Sequence, residues 1–279
     1  MLRLAFLIVF FCGSVANQTF ADNYSDSDGL ALLKQALKKE KEWKSEYTLE
    51  IKKVGNRSKQ SEIYYKRTPD GLLLERAELK TINAGPTQHE VPPVVTLRNR
   101  TGDWSLRLHK RAIHMKYVQD TINAAREIDP DYDAIPVDVA IPYATKLIDS
   151  NNRKLVEISI RVPDSFYEQK LRDREVINAQ YKERVISETG QSRQLFANTP
   201  TAEDVVPYVY TFAIDPATAT IWSAQRFRKS GELISEHTFT EIKRNIELSD
   251  DFFEVPKNYE IWTANTVGEY IKYLTLTAK

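Results

Sequence analysis

The chain has 279 residues, with 39 basic and 39 acidic side chains, 42% hydrophobic residues and one cysteine. Formal neutrality at pH 7 argues against a nucleic-acid binder driven by a cationic face, although a local basic patch stays open. Nine glycines leave little material for phosphate-cradling loops, while fourteen Tyr, eleven Phe and four Trp point to sheet and apolar pockets rather than disorder.

Residues 1–21 read as a secretory signal: Arg3 is the positive start, Leu4 to Phe11 is an unbroken apolar run, and small residues precede Ala16 and Ala21 as cleavage sites. The run is well short of the roughly 20 residues that a membrane-spanning helix needs. Cys12 follows the bulky Phe11 and is not read as a lipid anchor; its loss with the signal leaves a mature chain without thiol chemistry or disulfides.

Residues 28–42 form an amphipathic helix in which Leu30, Leu33 and Leu37 recur at helical spacing, with Ser27 or Asp28 as its cap. The period then changes to two. Residues 47–54, 63–67 and 72–82 read as strands, separated by turns at Gly55-Asn56 and Pro69-Asp70-Gly71. A hairpin follows over 94–98 and 103–108, around Thr101-Gly102. Residues 119–128 are a short helix, 129–142 a proline-bearing loop, and 142–148 a further short helix. A strand over 154–162 ends at Pro163, and Ser165-x-x-Glu168 is a capping box opening a highly charged helix to Ser187. That helix carries only a thin apolar stripe and is expected on the surface.

Tyr208, Tyr210, Phe212 and Ile214 alternate along one strand face. Returning strands follow over 221–228 and 233–242, with turns at Asp215-Pro216 and Ser230-Gly231. Roughly nine to eleven strands are too many for a flat open sheet, so the sheet is expected to curl.

This last segment resembles the periplasmic lipoprotein-carrier superfamily, the LolA/LolB-like proteins that include RseB-type sensors. The matching residues are Tyr210-Thr-Phe212-x-Ile214-Asp215-Pro216-x-Thr218-x-x-Ile221, Lys229-Ser-Gly-Glu232, Phe239-Thr-Glu-Ile242, Asn245-x-x-Leu248 and Phe252-Phe-Glu-Val-Pro256. The resemblance implies an α+β fold: a curved antiparallel sheet forming an incomplete β-barrel, with helices covering the open side. Residues 22–279 would be one such domain with a helical insertion near 164–187. It also implies a periplasmic, non-enzymatic carrier whose concave apolar face holds a lipid or the acyl chain of a lipoprotein. Tyr208, Tyr210, Phe212 and Ile214 are the candidate lining, with Phe227 and Phe239 of the same kind; ordinary core packing is the competing role for this face.

An RseB-like envelope interaction module in which the sheet recognises a polypeptide, with the charged 164–187 helix as the feature to test, is the alternative. A lipid or glycan hydrolase is the third class, and no G-x-S-x-G, H-E-x-x-H or P-loop motif supports it. No cofactor or metal is expected. Asp129, Asp131 and Asp133 alternate as in a calcium loop, but Ala134 and Ala140 stand where Gly and Glu are needed. His89, His109, His114 and His237 lack metal-ligand spacing. The Asn23, Asn56 and Asn99 sequons are chance matches in the bacterial protein that the resemblance implies.

Overall fold

A computed structural model of the protein describes residues 24–54, 57–83, 94–132, 134–150, 152–190 and 200–277. The signal segment with Cys12, Asn23, the Gly55-Asn56 turn, His89 and Asp133 lie outside the described residues.

Helix α1 (Asp26–Lys39) leads into a hairpin meander of β1 (Ser45–Val54), β2 (Arg57–Arg67) and β3 (Leu73–Asn83). Strands β4 (Val95–Asn99), β5 (Gly102–Arg107) and β6 (Arg111–Met115) continue the sheet, and α2 (Lys116–Ile128) follows. The chain then crosses to β7 (Ile141–Ser150) and β8 (Arg153–Arg161), followed by α3 (Asp164–Thr189) and α4 (Ala202–Val205). It closes with β9 (Val209–Asp215), β10 (Thr220–Phe227), β11 (Leu233–Arg244), β12 (Glu260–Ala264) and α5 (Val267–Thr277). All twelve strands join one sheet in the order β12-β6-β5-β4-β3-β2-β1-β11-β10-β9-β8-β7. Every pairing is antiparallel except the parallel β12–β6 pair. The terminal strands β12 and β7 do not pair with each other, so the curl stays open as an incomplete barrel. Register shifts at Leu49/Glu50, Gln60/Ser61, Ile221/Ser223 and Arg226/Phe227 supply local bends.

One face of the sheet carries the helices and is here the inner face. Leu32, Leu33 and Ala36 of α1 pack on Val156, Ile158 and Ile160 of β8 and on Tyr210, Phe212 and Ile214 of β9. The helix lies close: a Cβ at Gly29 would come within 2.5 Å of Thr145 Oγ1 on β7, so only glycine fits there without a shift. At the far end, Trp262 of β12 packs on Tyr273 of α5, and Arg107 Nη2 donates to Tyr270 Oη at 2.9 Å. The outer face has its own cluster of Leu97, Trp104, Leu106 and Ala112, against which Val255 and Tyr259 pack. A 3₁₀ turn at Asp250–Phe253 anchors that covering segment, with Asn99 Nδ2 donating to the Phe253 carbonyl at 3.1 Å.

Several sequence expectations are corrected. The short helix expected over 142–148 is the edge strand β7, because nine register pairs with β8 decide the local conformation and Pro142 is tolerated near the start of an edge strand. The 165–168 capping box does not form: α3 begins at Asp164 behind Pro163, which has no side-chain cap bond. The Asp164 carboxylate instead meets Lys229 Nζ at 2.7 Å. Helix α1 is capped by Ser25 rather than Ser27 or Asp28, with Asp28 completing the reciprocal bond. Strands β6, β7 and β12 bring the sheet to twelve, above the expected range.

Candidate functional site

Cross-strand register assigns the inner face strand by strand. On β9 and β8 it presents Tyr210, Phe212 and Ile214 opposite Ile160, Ile158 and Val156. Moving to β10, Phe212 faces Ala224 and Tyr210 faces Arg226. On β11, Ala224 faces His237 and Arg226 faces Ser235. On β1, His237 faces Lys52, Phe239 faces Glu50, Ile242 faces Thr48 and Arg244 faces Glu46. The shift at Leu49/Glu50 leaves Thr240 as the extra residue, and its hydroxyl donates to the Leu49 carbonyl at 3.2 Å. That bulge keeps 237, 239, 242 and 244 on one face although their parity changes.

The sheet's alternation thus buries the polar set of β1. Glu46, Thr48 and Glu50 are 5%, 2% and 7% exposed, whereas Tyr47, Leu49 and Ile51 face outward and are half-buried. Such a pattern requires partners. Arg244 Nε donates to Glu46 Oε2 at 2.7 Å, and Arg244 Nη2 donates to Glu40 at the end of α1. Burial pushes the Glu46 carboxyl above its ordinary range, and the Arg244 hydrogen bond does not fully offset it. Glu50 is bonded to His237 Nδ1. Burial alone would raise the Glu50 carboxyl, but the His237 bond and the charges of His237, Lys52 and Lys59 leave it below the ordinary range. Thr48 Oγ1 is buried and has no hydrogen-bond partner.

A cavity of about 220 Å³ opens between these two chemistries. Tyr210, Phe212, Ile221, Phe239 and Ile242 form its apolar side, with Ile135 reaching over from the loop before β7. That loop is tied to α3 by the buried Asp129–Lys170 ion pair and by Arg174 donating to Tyr132 Oη at 2.5 Å. Glu46, Thr48, Arg226, His237 and Arg244 form the polar side.

Of the residues expected to line a trough, Tyr210, Phe212 and Phe239 reach the cavity. Ile214 lies behind it, 0% exposed in the core under α1. Tyr208 sits just before β9, edge-on to Tyr167 of α3 at 5.2 Å. Phe227 pairs with Val209 at the end of β10 and is not part of the lining. Ile135 and the polar wall were missed. The run Glu46-x-Thr48-x-Glu50-x-Lys52 is an alternation as regular as its apolar counterpart and was the available signal. Asn99, one of the sequons, is 4% exposed, with its side chain committed to Thr101 and Phe253.

No family model matches the sequence, and no curated protein matches it. Similar solved structures include the Pseudomonas aeruginosa MucA/MucB complex, at 13% identity and TM-score 0.45, covering 86% of this chain and 64% of that one. Mycobacterium tuberculosis lipoprotein LppX matches at 10% identity and TM-score 0.48, covering 81% of this chain and 100% of that one. LprF from Mycobacterium bovis matches at 11% identity and TM-score 0.44, covering 84% and 98%. These neighbours are LolA/LolB-like superfamily members, the group that the sequence resembles. This chain spans just under two thirds of the MucB chain's length, at 64%. With every score below 0.5, the likeness carries no ligand or activity across.

Proposed function

We propose that the protein is a non-enzymatic carrier that holds the apolar chain of a lipid or acylated protein in the cavity between β9–β10 and β1–β11. The observation that carries this reading is the division of the cavity into an aromatic and aliphatic side and a hydrogen-bonding side. An amphiphile matches both. Each methylene moved from water into the apolar side contributes about 0.8 kcal/mol, and the unpartnered Thr48 hydroxyl offers a bond to a polar atom beyond the chain. The volume is below the roughly 300–1,000 Å³ of pockets that engulf a drug-sized ligand, so a segment of chain enters while the remainder lies along the inner face. The two carboxylates at the cavity, Glu40 and Glu46, are both held by Arg244, which leaves neither poised as a general base.

Protein purified from its own envelope without detergent is expected to release a lipid on organic extraction, detected by mass spectrometry. Ala224→Trp, which places an indole between Phe212 and His237, is expected to remove it. Equal lipid in both preparations would sink the cavity as the binding site.

A protein-partner reading rests on a different surface: Val176 and Tyr181 of α3 are 48% and 39% exposed. Deleting α3 would not test it, because Tyr167 and Val185 of that helix are buried in the fold. Val176→Asp with Tyr181→Asp leaves those residues in place. Loss of partner capture with lipid retained would favour this second reading.

A further inference from the structure

The inner face carries cations that the apolar cavity does not explain. Lys59 of β2 lies opposite Lys52 of β1, Lys52 lies opposite His237 of β11, and Arg226 of β10 lies one step along, opposite Ser235. Neighbouring strands are about 4.8 Å apart, so four long or basic side chains project from one strip of sheet. His237 and Arg226 also line the cavity, so the strip begins at its wall.

Like charges directly opposite one another on a sheet are unfavourable, and here the acids do not balance them. Glu50, on the same strip, is taken by His237. Glu75 of β3 faces Lys59 from farther along the sheet without a close ion pair to it, and Arg98, the residue opposite Glu75, is engaged with Asp103. Glu236 and Lys53 pair on the outer face. Among the described residues, Lys52, Lys59 and Arg226 form no ion pair within the chain. The Lys52 ammonium is held below its ordinary range by burial first and by repulsion from Lys59 and Arg226, which Glu50 offsets only in part. An oxyanion placed over the strip would relieve that repulsion and accept charge-assisted hydrogen bonds from several strands at once.

We propose that Lys59, Lys52, His237 and Arg226 form the site for an anionic headgroup, a phosphate or similar oxyanion, on the amphiphile whose chain occupies the cavity. The assignment rests on the carrier reading for the chain and adds the charge of the ligand. The strip lies at the cavity wall, so one molecule can place its chain against Phe212 and Phe239 and its charge against Arg226 and Lys52.

Calorimetric titration with octyl phosphate, octyl glucoside and inorganic phosphate, the amphiphiles kept below their micelle concentrations, separates the two claims. Wild-type protein is expected to bind octyl phosphate about tenfold or more tightly than octyl glucoside, the scale of one charge-assisted contact. In the double variant Lys52→Gln, Lys59→Gln, whose residues lie outside the cavity lining, the preference for octyl phosphate should fall at least severalfold, with octyl glucoside unchanged from wild type. That unchanged affinity also reports that the variant is folded. Equal binding of both amphiphiles to wild type, or a preference undiminished by the double substitution, would overturn the headgroup site while leaving the carrier reading intact. Binding of neither amphiphile would overturn the carrier reading and the headgroup site with it. Inorganic phosphate that matches octyl phosphate in affinity, with Ala224→Trp affecting neither, would assign the strip to a free oxyanion and overturn the headgroup.

Discussion

The inner face of this sheet is built in two ways within a few strands. Over β8 and β9 it is Val156, Ile158, Ile160, Tyr210, Phe212 and Ile214, sealed by the leucines of α1. Over β1 and β11 it is Glu46, Thr48 and Glu50, buried by the curl, with Arg244 and His237 holding the two carboxylates. The first arrangement is the one that stability favours, since apolar area is removed from water at little cost. The second is not, because a buried ion pair often does no better than a hydrophobic replacement of the same shape. Keeping both side by side, with a cavity at their border, fits the two-chemistry ligand proposed above.

That contrast can be broken from either side. The largest expected effect comes from the apolar half: Phe212→Ala removes a side chain 2% exposed and should cost about 3–5 kcal/mol in denaturant unfolding. On the polar half, Arg244→Met leaves Glu46 and Glu40 without their shared partner, and the expected cost is about 2 kcal/mol at neutral pH. The Glu46 carboxyl is already raised by burial, so acidification should protonate it and shrink the penalty. A penalty independent of pH would mean that Arg244 acts through packing alone.

The smallest effect has the opposite sign. Burial raises the Glu75 carboxyl above its ordinary value, and Arg98 only partly compensates. Below the ordinary value both folded and unfolded chains are protonated and nothing is lost. Between the ordinary and the raised value the folded chain still holds a proton that the unfolded chain has released, so stability falls as pH rises. Glu75→Gln removes that slope. The variant should match wild type in acid and be more stable by about 1 kcal/mol at neutral pH; a loss of stability at neutral pH would show that the carboxylate is paired more favourably than its surroundings indicate.

The apolar half was legible in the sequence and the polar half was not. Tyr210, Phe212 and Ile214 declared a buried face through strict alternation, and Leu33 did the same for α1. Alternation alone does not say which of two faces is interior, and on β1 the greasier set Tyr47, Leu49 and Ile51 turned outward because β11 fixes its register through Arg244 and Glu46. The bulge at Thr240 hid the continuity of Phe239 with Ile242, since a single extra residue reverses the parity. Strands β6 and β12 are short, and β12 adds in parallel from far along the chain, a pairing with no local turn to announce it. Strand β7 lacks a period-two signal because its residues at 143, 144, 146 and 147 are all exposed, so no one face of it is buried.

The central claim is that an apolar chain enters the cavity bordered by Phe212, Ala224 and Phe239. Fluorescence titration with N-phenylnaphthylamine tests it most directly, comparing wild type with Ala224→Trp after both are confirmed folded by circular dichroism. Saturable enhancement in wild type that is lost in the variant is the expected result. Enhancement absent from wild type, or undiminished with the cavity filled, would contradict it.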